Sequence, residues 1–423
     1  MTSTPPRATR SVTVAHLTTV ASSLRYLLYP QLTAVRDLPG TAMGISAPGP
    51  DVDTLVANGI QHVALASSTR SMNPLADVKA AAELWRILRR HNVDVLHTHN
   101  PKPGLYGRVV GRLARVPVVV NTNHGLYATE MDRPWRRALV LALEAVAARF
   151  SDAELIQNPE DFELLTRWHL NPPRRTRLLG NGIDLTRFQS SSMQRDTRMA
   201  LRAEVGADDG TVLVGMVGRL VVEKGYRELI RAAKILRHRY PPVRPGSSRY
   251  LVVAVGPHDP EKSDALHRDE MRQAEGAGVV WLGHRDDVEA LYRAMDLFVL
   301  PSHREGFPRA AMEAAASGLP IVASNVRGCR QVVDDGVTGL LVPLRDAEAL
   351  AKAIAELGED PERRLAMGKA AVAKARERFD ERQVVRIVLE IYARVAARKG
   401  RDELAALFAS DSPSGATRTS GSA

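Results

Sequence analysis

Short apolar runs alternate with helix-patterned segments along almost the whole of this 423-residue chain. The runs are continuous in Val, Ile and Leu, which is typical of parallel strands that helices cover on both faces. The segment LADVKAAAELWRILRRHN at 75–92 shows the i, i+3, i+4 apolar spacing of the helices between them. The predicted strands are 11–17, 41–47, 60–66, 93–98, 116–122, 153–157, 176–180, 211–217, 250–255, 278–282, 296–300, 319–323 and 338–342.

So many strands exceed one compact sheet, so we predict an α/β chain with two facing, doubly wound Rossmann-like domains. A polar segment with Gly and Ser at 181–210 separates the two series of strands. The predicted parts are a disordered N-terminus at 1–10, a first Rossmann-like domain at 11–188, a second at 189–379, a helix returning to the first domain at 380–398, and a flexible tail at 399–423. Ligands bind outside the carboxyl ends of such strands, which predicts a site in an interdomain cleft.

Two glutamates stand eight residues apart in EGFPRAAMEAAASG, which begins at Glu305. The pattern predicts a loop and then a helix, with Pro308 suited to the first helical turn. Eight residues of helix rise about 12 Å, more than the roughly 5–9.5 Å that separates the carboxyl groups of glycosidases. Glu305 and Glu313 therefore suit two contacts on one long ligand, with the backbone at 306–308 facing an anionic or polyol group. The alternative is a loop Glu305 and a surface Glu313 with no chemical role.

A basic loop, GRLVVEKG at 218–225, follows the first strand of the second series. Its terminal glycines allow close approach of a ligand, while Arg219 offers a planar fork and Lys224 a point charge for phosphate oxygens. The loop is neither a GxxxxGK[ST] phosphate loop nor a GxGxxG motif. We expect a diphosphate here, and the alternative is that both cations pair structurally with Glu223 and Glu228.

These segments, together with VVWLGHRDDVEALYRAMDLFVLPSHREGFPRAAMEAAASGLPIVAS and GVTGLLVP, resemble the retaining glycosyltransferases of family 4, which have the GT-B fold. The resemblance covers residues 11–397 and includes the spacing of the two glutamates. It implies that the domain at 11–188 binds the acceptor and that the domain at 189–379 binds the nucleotide sugar. It implies that Arg219 and Lys224 hold the diphosphate of a nucleotide sugar, that Glu305 faces the donor sugar and that Glu313 binds the ribose. Further donor-binding positions implied by the resemblance are Gly218, Gly283, Val288, Gly306, Phe307 and Pro308, with Gly339 and Leu340 near the ribose or phosphate.

The N-terminal half is similar to a narrower group of the family. VDVLHTHNPKPGLYGRVVGRLARVPVVVNTNHGLY at 93–127 and NVRGCRQVV at 325–333 look like enzymes that extend sugars on undecaprenyl diphosphate. The N-acetylgalactosaminyltransferases that act on diacetylbacillosaminyl-diphosphoundecaprenol are an example. The loop TTVASSLRYLL at 18–28 lacks the Gly-Gly pair that many members carry, and its Ser23 is expected on the acceptor side.

Three histidines stand at or just after predicted strands. His97 and His99 are two residues apart and so share a face, but the sequence shows no third ligand, HExxH motif or Cys cluster for a metal site. The resemblance implies that His124 contacts the donor sugar or aligns the acceptor, and that His99 lies on the acceptor side. Asp51, in an Asp-Val-Asp triplet, is read as a helix N-cap rather than a metal ligand.

Charge is unevenly spread in this chain of net charge +10. Residues 1–150 hold 17 Lys and Arg against 9 Asp and Glu, whereas the rest holds 41 against 39. An Arg-rich solvated surface would explain this, but Trp135–Arg137 ahead of an apolar helix favours docking on anionic lipid. The one cysteine, Cys329, and the lack of a long apolar run suggest a cytoplasmic protein, peripheral on the inner face of the membrane.

The prediction is a metal-independent retaining transfer of a hexose or N-acetylhexosamine from a UDP-sugar to a hydroxyl of a polyprenyl-diphosphate-linked saccharide. Cationic side chains on the diphosphate make a metal unnecessary, and no other cofactor is expected. The residues predicted to act in catalysis are His124, Arg219, Lys224 and Glu305. Alternatives are a soluble acceptor, a nucleotide-sugar epimerase, and a nucleic-acid-binding protein, which no aromatic-rich or helix-turn-helix motif supports.

Overall fold

The chain divides into two compact units. The computed structural model describes residues 11–69, 74–99, 101–128, 132–189, 195–241, 248–260, 262 and 264–409. One unit combines the chain up to Leu179 with the chain from Arg382 onward, and the other is Gly180–Glu381. The segment predicted to be disordered at 1–10 lies outside the described residues.

The first unit contains a parallel sheet in the order β3-β2-β1-β4-β5-β6-β7. Its strands match the seven predicted in the first half of the sequence. They are Val12–Val20 (β1), Gly40–Ala47 (β2), Gln61–Ala64 (β3), Val95–His99 (β4), Val118–Asn123 (β5), Ala153–Ile156 (β6) and Thr176–Leu178 (β7). The helices between them are Ala21–Tyr26 (α1), Tyr29–Arg36 (α2), Val52–Ala57 (α3), Pro74–Arg90 (α4), Pro101–Leu113 (α5), Pro134–Ala147 (α6) and Pro159–Arg167 (α7), with 3-10 turns at Ala148–Phe150 and Pro173–Arg175.

The second unit contains a second parallel sheet, in which the order is β10-β9-β8-β11-β12-β13. The strands again match the predicted set: Val212–Val217 (β8), Tyr250–Val255 (β9), Val279–Gly283 (β10), Leu297–Leu300 (β11), Ile321–Ser324 (β12) and Gly339–Val342 (β13). Its helices are Leu185–Gln189 (α8), Arg195–Glu204 (α9), Tyr226–Arg239 (α10), Arg268–Glu275 (α11), Val288–Ala294 (α12), Arg309–Ala316 (α13), Arg327–Val332 (α14), Ala347–Gly358 (α15) and Pro361–Arg378 (α16), with a 3-10 turn at Val222–Lys224.

The boundary between the units falls nine residues before the position expected from the sequence. The polar segment after Leu179 reads as a linker, but it forms α8, and Phe188 packs in the core of the second unit. The second crossing, at 381/382, lies within two residues of the predicted one.

The chain ends with two helices on the first sheet, Glu381–Arg398 (α17) and Asp402–Ala409 (α18). Tyr392 of α17 is fully buried, and Phe408 of α18 stands edge-on to it with ring centroids 5.2 Å apart. The expectation of a flexible tail from 399 is therefore wrong for 402–409. The short helix was missed because polar residues follow it, although its Leu404 and Phe408 share one buried face. Residues 410–423 lie outside the described chain.

None of the helices that the structure describes is both long enough and apolar enough to cross a membrane.

We expect Phe408→Ala to lower the free energy of unfolding by about 3–5 kcal/mol, because a buried aromatic ring leaves a cavity against Tyr392. Denaturant unfolding followed by circular dichroism measures this change. Glu403→Ala, at an exposed position of the same helix, should change stability by less than about 0.5 kcal/mol. Equal effects of the two substitutions would contradict the packing of α18.

Candidate active site

Both sheets reverse their strand order once, between β1 and β4 in the first unit and between β8 and β11 in the second. Loops that leave the carboxyl ends of parallel strands diverge at such a reversal, and this leaves room for a ligand. Most of the residues singled out in the sequence stand at these positions. Gly218 follows β8, Glu305 lies in the loop after β11, and His99 ends β4.

The loop after β8 is folded tightly onto the loop after β11. Gly225 has φ of +82°, and a Cβ there would lie 2.0 Å from the Pro301 carbonyl oxygen, so the position requires glycine. The backbone of Gly218 is also held in place, because its N–H donates to the Val255 carbonyl at 2.8 Å. The close approach brings Lys224 next to the second loop.

Lys224 Nζ lies 2.7 Å from Glu305 Oε1. The alternative that Lys224 and Arg219 pair with their neighbouring glutamates is wrong. Glu223 pairs instead with Arg304 and Glu228 with His303, at 2.7 and 3.1 Å. The structure therefore joins a predicted phosphate ligand and a predicted sugar ligand in one contact, although they are 81 residues apart.

Arg219 is accessible to a ligand. Its side chain is 44% exposed, and its Nη1 is 3.7 Å from Asp259 Oδ2, a loose contact at a wet surface. A phosphate could therefore engage the guanidinium without breaking a short ion pair. Arg219 and Lys224 together offer two cationic groups along one loop.

Glu313 lies in α13 with only 16% of its side chain exposed, so the surface alternative is wrong. The Tyr292 hydroxyl is 3.2 Å from Glu313 Oε2, and Arg309 Nε is 3.9 Å from Oε1. Burial raises the pKa of Glu313, and Arg309 and Tyr292 oppose that rise. A carboxylate in this setting can accept hydrogen bonds from vicinal hydroxyls of a ligand.

The turn between the two glutamates differs from expectation in one respect. Pro308 occupies the N-cap position of α13 in an extended conformation, rather than its first turn. Proline has no N–H, so within this turn only Gly306 and Phe307 carry backbone donors. The Phe307 carbonyl accepts from Asn181 Nδ2 at 3.0 Å, and the Phe307 ring stands edge-on to Phe379.

Two supporting residues were missed in the sequence. Asn181 lies in a stretch read as a linker, and the Asn-Gly pair at 181–182 was its only signal. Gly328 lies in NVRGCRQVV, where a Cβ would approach the Glu305 carbonyl carbon and oxygen to 2.6 Å. The lack of a side chain at Gly328 thus lets α14 support the backbone of Glu305.

The remaining donor-side predictions lie at the edges of the second sheet. Gly283 ends β10 with φ of +63°, and Val288 begins α12 and packs against the core. Gly339 and Leu340 belong to β13, where a Cβ on Gly339 would meet the Ile321 carbonyl oxygen at 1.9 Å. The close packing at Gly339 accounts for that glycine without a ligand.

In the first unit the structure brings His99 and His124 together, with His99 Nδ1 3.0 Å from His124 Nε2. His16, which was not singled out, lies 3.0 Å from His99 on the other side, and Gln157 lies 3.1 Å from His124 Nδ1. Burial lowers the pKa of His16 to about 3 and that of His124 to about 4. These imidazoles are therefore neutral over the physiological range.

The sequence showed no third ligand for a metal site at His97 and His99, but the structure brings one close to them. His16 belongs to β1, and donor atoms of the three rings lie within 4.8 Å of one another, close enough for one metal ion. Their ring nitrogens, however, already have hydrogen-bond partners in the protein, so the cluster is satisfied without an ion.

The structure also bears on the predictions for Ser23 and Asp51. Ser23 lies in α1, which continues directly from β1, and its carbonyl accepts from Leu27 N–H at 3.1 Å. Asp51 occupies the N-cap position of α3, but its carboxylate makes no capping bond and pairs with Arg25 at 3.0 Å. The predicted N-cap position of Asp51 is confirmed. The predicted capping hydrogen bond is absent, because the Arg25 guanidinium binds the carboxylate instead.

Known protein families match both units of the chain. The model for Glycosyltransferase Family 4 matches residues 45–187, and the model for Glycosyl transferases group 1 matches residues 197–374. The D-inositol 3-phosphate glycosyltransferase of Saccharomonospora viridis is 32% identical over 316 residues, which are 72% of this chain and 70% of that protein. The chain belongs to family 4 of the glycosyltransferases. It is a retaining glycosyltransferase with the GT-B fold.

Relatives within family 4 include enzymes named for undecaprenol-linked substrates. The UDP-Gal:alpha-D-GlcNAc-diphosphoundecaprenol alpha-1,3-galactosyltransferase of Escherichia coli is 29% identical and aligns over 69% of this chain and 73% of its own. The N,N'-diacetylbacillosaminyl-diphospho-undecaprenol alpha-1,3-N-acetylgalactosaminyltransferase of Campylobacter jejuni is 24% identical over 90% and 98%. The crystal structure of Anabaena Alr3699/HepE in complex with UDP and glucose superposes with a TM-score of 0.72 at 21% identity, covering 90% and 98%, and shows the same fold.

We expect Gly328→Ala to destabilise the second unit by about 1–3 kcal/mol and to displace Glu305 from Lys224, because the new methyl group would overlap the Glu305 backbone. Thermal unfolding and calorimetric titration with UDP measure the two effects. Gly210→Ala is the matched control, since its Cβ would meet its nearest atom at 3.6 Å. A Gly328→Ala protein that binds UDP and unfolds like the control would refute this support.

Proposed function

We propose that this chain transfers a hexose or N-acetylhexosamine from a UDP-sugar to a hydroxyl of a polyprenyl-diphosphate-linked saccharide. The observation that carries the donor half is the contact of Lys224 with Glu305 beside the exposed Arg219. Two cations and a carboxylate at adjoining strand ends suit a ligand with a diphosphate followed by a sugar.

In the proposed reaction, Arg219 and Lys224 bind the diphosphate and stabilise the charge that grows on it as the bond to the sugar breaks. Preset cations of this kind do not need to reorganise during the reaction, and such stabilisation is commonly the largest catalytic contribution. The Lys224 ammonium has three N–H donors, so it can bind the diphosphate and keep its contact with Glu305. Glu305 accepts hydrogen bonds from sugar hydroxyls, and Glu313 accepts them from the ribose. The leaving diphosphate takes the proton of the acceptor hydroxyl, and the proposal assigns His124 a contact with the sugar. Gly283 and Val288 line the base.

Arg219→Ala and Lys224→Ala should each lower kcat for the sugar transfer by about 10²–10³-fold, the usual cost of removing one stabilising donor. UDP release with a donor identified by screening measures the rate. Arg227→Ala is the control. It removes a partly exposed arginine of α10 that pairs with Glu270 of α11, and it should retain the rate. Full turnover in the Arg219→Ala, Lys224→Ala double variant would refute the donor assignment.

The acceptor half of the proposal rests on α6, which presents apolar side chains to solvent. Trp135, Leu139, Leu143 and Val146 repeat at helical spacing and are 46–64% exposed. On the inward side Glu144 pairs with the fully buried Arg108 at 2.7 Å, and Leu141 packs against an apolar cluster of the first unit. The helix is therefore packed on one side and still exposes large apolar side chains on the other, which is typical of a surface that contacts another apolar surface.

The buried pair holds α6 in this orientation. Arg108 also pairs with Glu154 at 2.9 Å, and removing one partner of such a pair costs about 3–5 kcal/mol. Rolling the helix to hide its apolar side would break the contact with Glu144. Arg133 and Arg136 are exposed at the start of the helix, and cations beside an apolar stripe suit an anionic lipid surface. We therefore propose peripheral attachment to the cytoplasmic face of the membrane.

A soluble acceptor is the second candidate, and the relative named a D-inositol 3-phosphate glycosyltransferase favours it. An epimerase is a weaker one, because it would turn over UDP-sugar without any acceptor. Mass spectrometry of products formed from a polyprenyl-diphospho-sugar or from inositol phosphate separates these functions.

The protein should float with vesicles that contain phosphatidylglycerol and should release them as salt is added, since each surface arginine contributes about 1 kcal/mol of attraction. Leu139→Asp with Leu143→Asp should reduce the bound fraction about tenfold or more. Leu365→Asp, at a comparably exposed leucine of α16, should leave it unchanged. An equal bound fraction for these variants, or no salt-sensitive binding by the wild type, would contradict the membrane part of the proposal.

A further inference from the structure

Four histidines of the first unit lie on one polar patch of the sheet. On β1 the buried Val14 is followed two residues later by His16, and on β4 Val95 is followed by His97 and His99. Side chains two residues apart on a strand share a face, so all of these lie on the face that α17 covers with Tyr392. The apolar face thus becomes polar at the carboxyl ends of the two central strands.

The ring nitrogens of this patch are connected in series, and we call the series the imidazole relay. It comprises His16 Nδ1 to His99 Nε2 at 3.0 Å, His99 Nδ1 to His124 Nε2 at 3.0 Å, and His124 Nδ1 to Gln157 Oε1 at 3.1 Å. At the far end the Tyr392 hydroxyl lies 3.5 Å from His16 Nε2 and 2.6 Å from His97 Nδ1, and His97 Nε2 lies 2.7 Å from Thr122 Oγ1.

Proton counting shows that the relay has a direction. A neutral imidazole carries one N–H and one bare nitrogen, so each ring can donate at one end and accept at the other. With the Gln157 oxygen toward His124, the His124 proton must be on Nδ1. His99 must then donate to His124 from Nδ1, and His16 must donate to His99 from its own Nδ1. One tautomer therefore propagates through three rings.

His124 is the ring through which the relay meets the protein surface. His16, His97 and His99 are completely buried, whereas His124 is half-buried. The titratable groups connected to it through the relay are these histidines and Tyr392, which contacts His16 and His97. The Asp161 carboxylate of α7 accepts from the Leu126 N–H at 2.9 Å. No carboxylate among the described residues hydrogen-bonds to the His124 ring, so none draws a proton onto it.

We propose that His16 and His99 are positioning residues, which act through the relay to fix the tautomer and ring orientation of His124. The inference rests on the proposed function in one respect, namely that His124 lies beside the donor sugar. During retaining transfer the sugar gains positive charge at its anomeric carbon, so an imidazolium next to it would raise the barrier. The relay opposes protonation of His124, because its bare nitrogen is occupied by a donor.

The same geometry prevents His124 from acting as the general base that deprotonates the acceptor hydroxyl. Its Nδ1 proton points to Gln157 and its Nε2 accepts from His99, so no lone pair is available for the acceptor hydroxyl. The relay thereby assigns proton acceptance to the leaving diphosphate, as in the proposed reaction.

The test compares His16→Leu with His16→Asn in the full chain labelled with ¹⁵N-histidine. His16 makes no direct contact with His124, so only a connected relay transmits its loss. The asparagine amide can replace the Nδ1 donor to His99, whereas leucine fills the space without a donor. Long-range ¹H–¹⁵N correlation spectra report which nitrogen of each ring carries the proton, and His62→Leu, on edge strand β3, is the control outside the relay.

In the wild type we expect His124 to show one neutral tautomer that does not titrate between pH of about 8 and 5, where an unperturbed histidine would. His16→Leu should produce mixed tautomers or titration at His124, with an acid limb in the pH profile of kcat and a smaller change in KM. His16→Asn should restore most of the wild-type pattern. If His16→Leu does not fold, Gln157→Leu, which removes the acceptor at the other end, must change the His124 tautomer.

An unchanged His124 spectrum in the leucine variant overturns the relay, as does one metal ion per chain that survives dialysis against a chelator. The spectra need no substrate. A relay that behaves as expected in a protein without sugar transfer would therefore reject the proposed function and leave the hydrogen-bond connection standing.

Discussion

Strands of a parallel sheet all end at one edge, and both sheets of this chain carry their chemically active side chains there. On β1 and β4 the buried valines give way to histidines, and on β8 and β11 the apolar run gives way to the loops of Arg219 and Glu305. The reversal of strand order opens space between these loops. The positions of His99, Arg219 and Glu305 follow from this constraint, since each lies at or shortly after the end of a central strand.

The polar side chains at the strand ends differ in charge between the two units. The first keeps its imidazoles neutral and connects them to one another, so that burial imposes no cost of an isolated charge. The second keeps charges, but it leaves Arg219 and Lys224 partly exposed and shields Glu313. Exposed cations retain their attraction for a phosphate because they are not fully neutralised within the protein.

Much of this could be predicted from the sequence, because the informative signals were local. Continuous apolar runs identify every strand of both sheets, and the loop glycines with Arg219 and Lys224 identify the basic loop. What could not be predicted depends on which distant strands become neighbours. His16 lies 83 residues from His99, and only the pairing of β1 with β4 puts their rings in contact. Asn181 and the α18 helix were missed for a related reason, since their polar surroundings look like a linker and a tail until packing is known.

The contacts of the candidate bases bear on how the proposed transfer retains stereochemistry. Glu305 is bound to Lys224, and both nitrogens of His124 are occupied. A carboxylate that is paired with an ammonium group is a poor nucleophile and a poor base, because the ion pair holds its lone pairs and fixes its position. The diphosphate oxygen, in contrast, gains negative charge as the sugar departs, and it does so on the face from which it leaves. In the proposed reaction that oxygen is the strongest base near the acceptor hydroxyl, so it draws the acceptor to the same face and the product keeps the donor configuration.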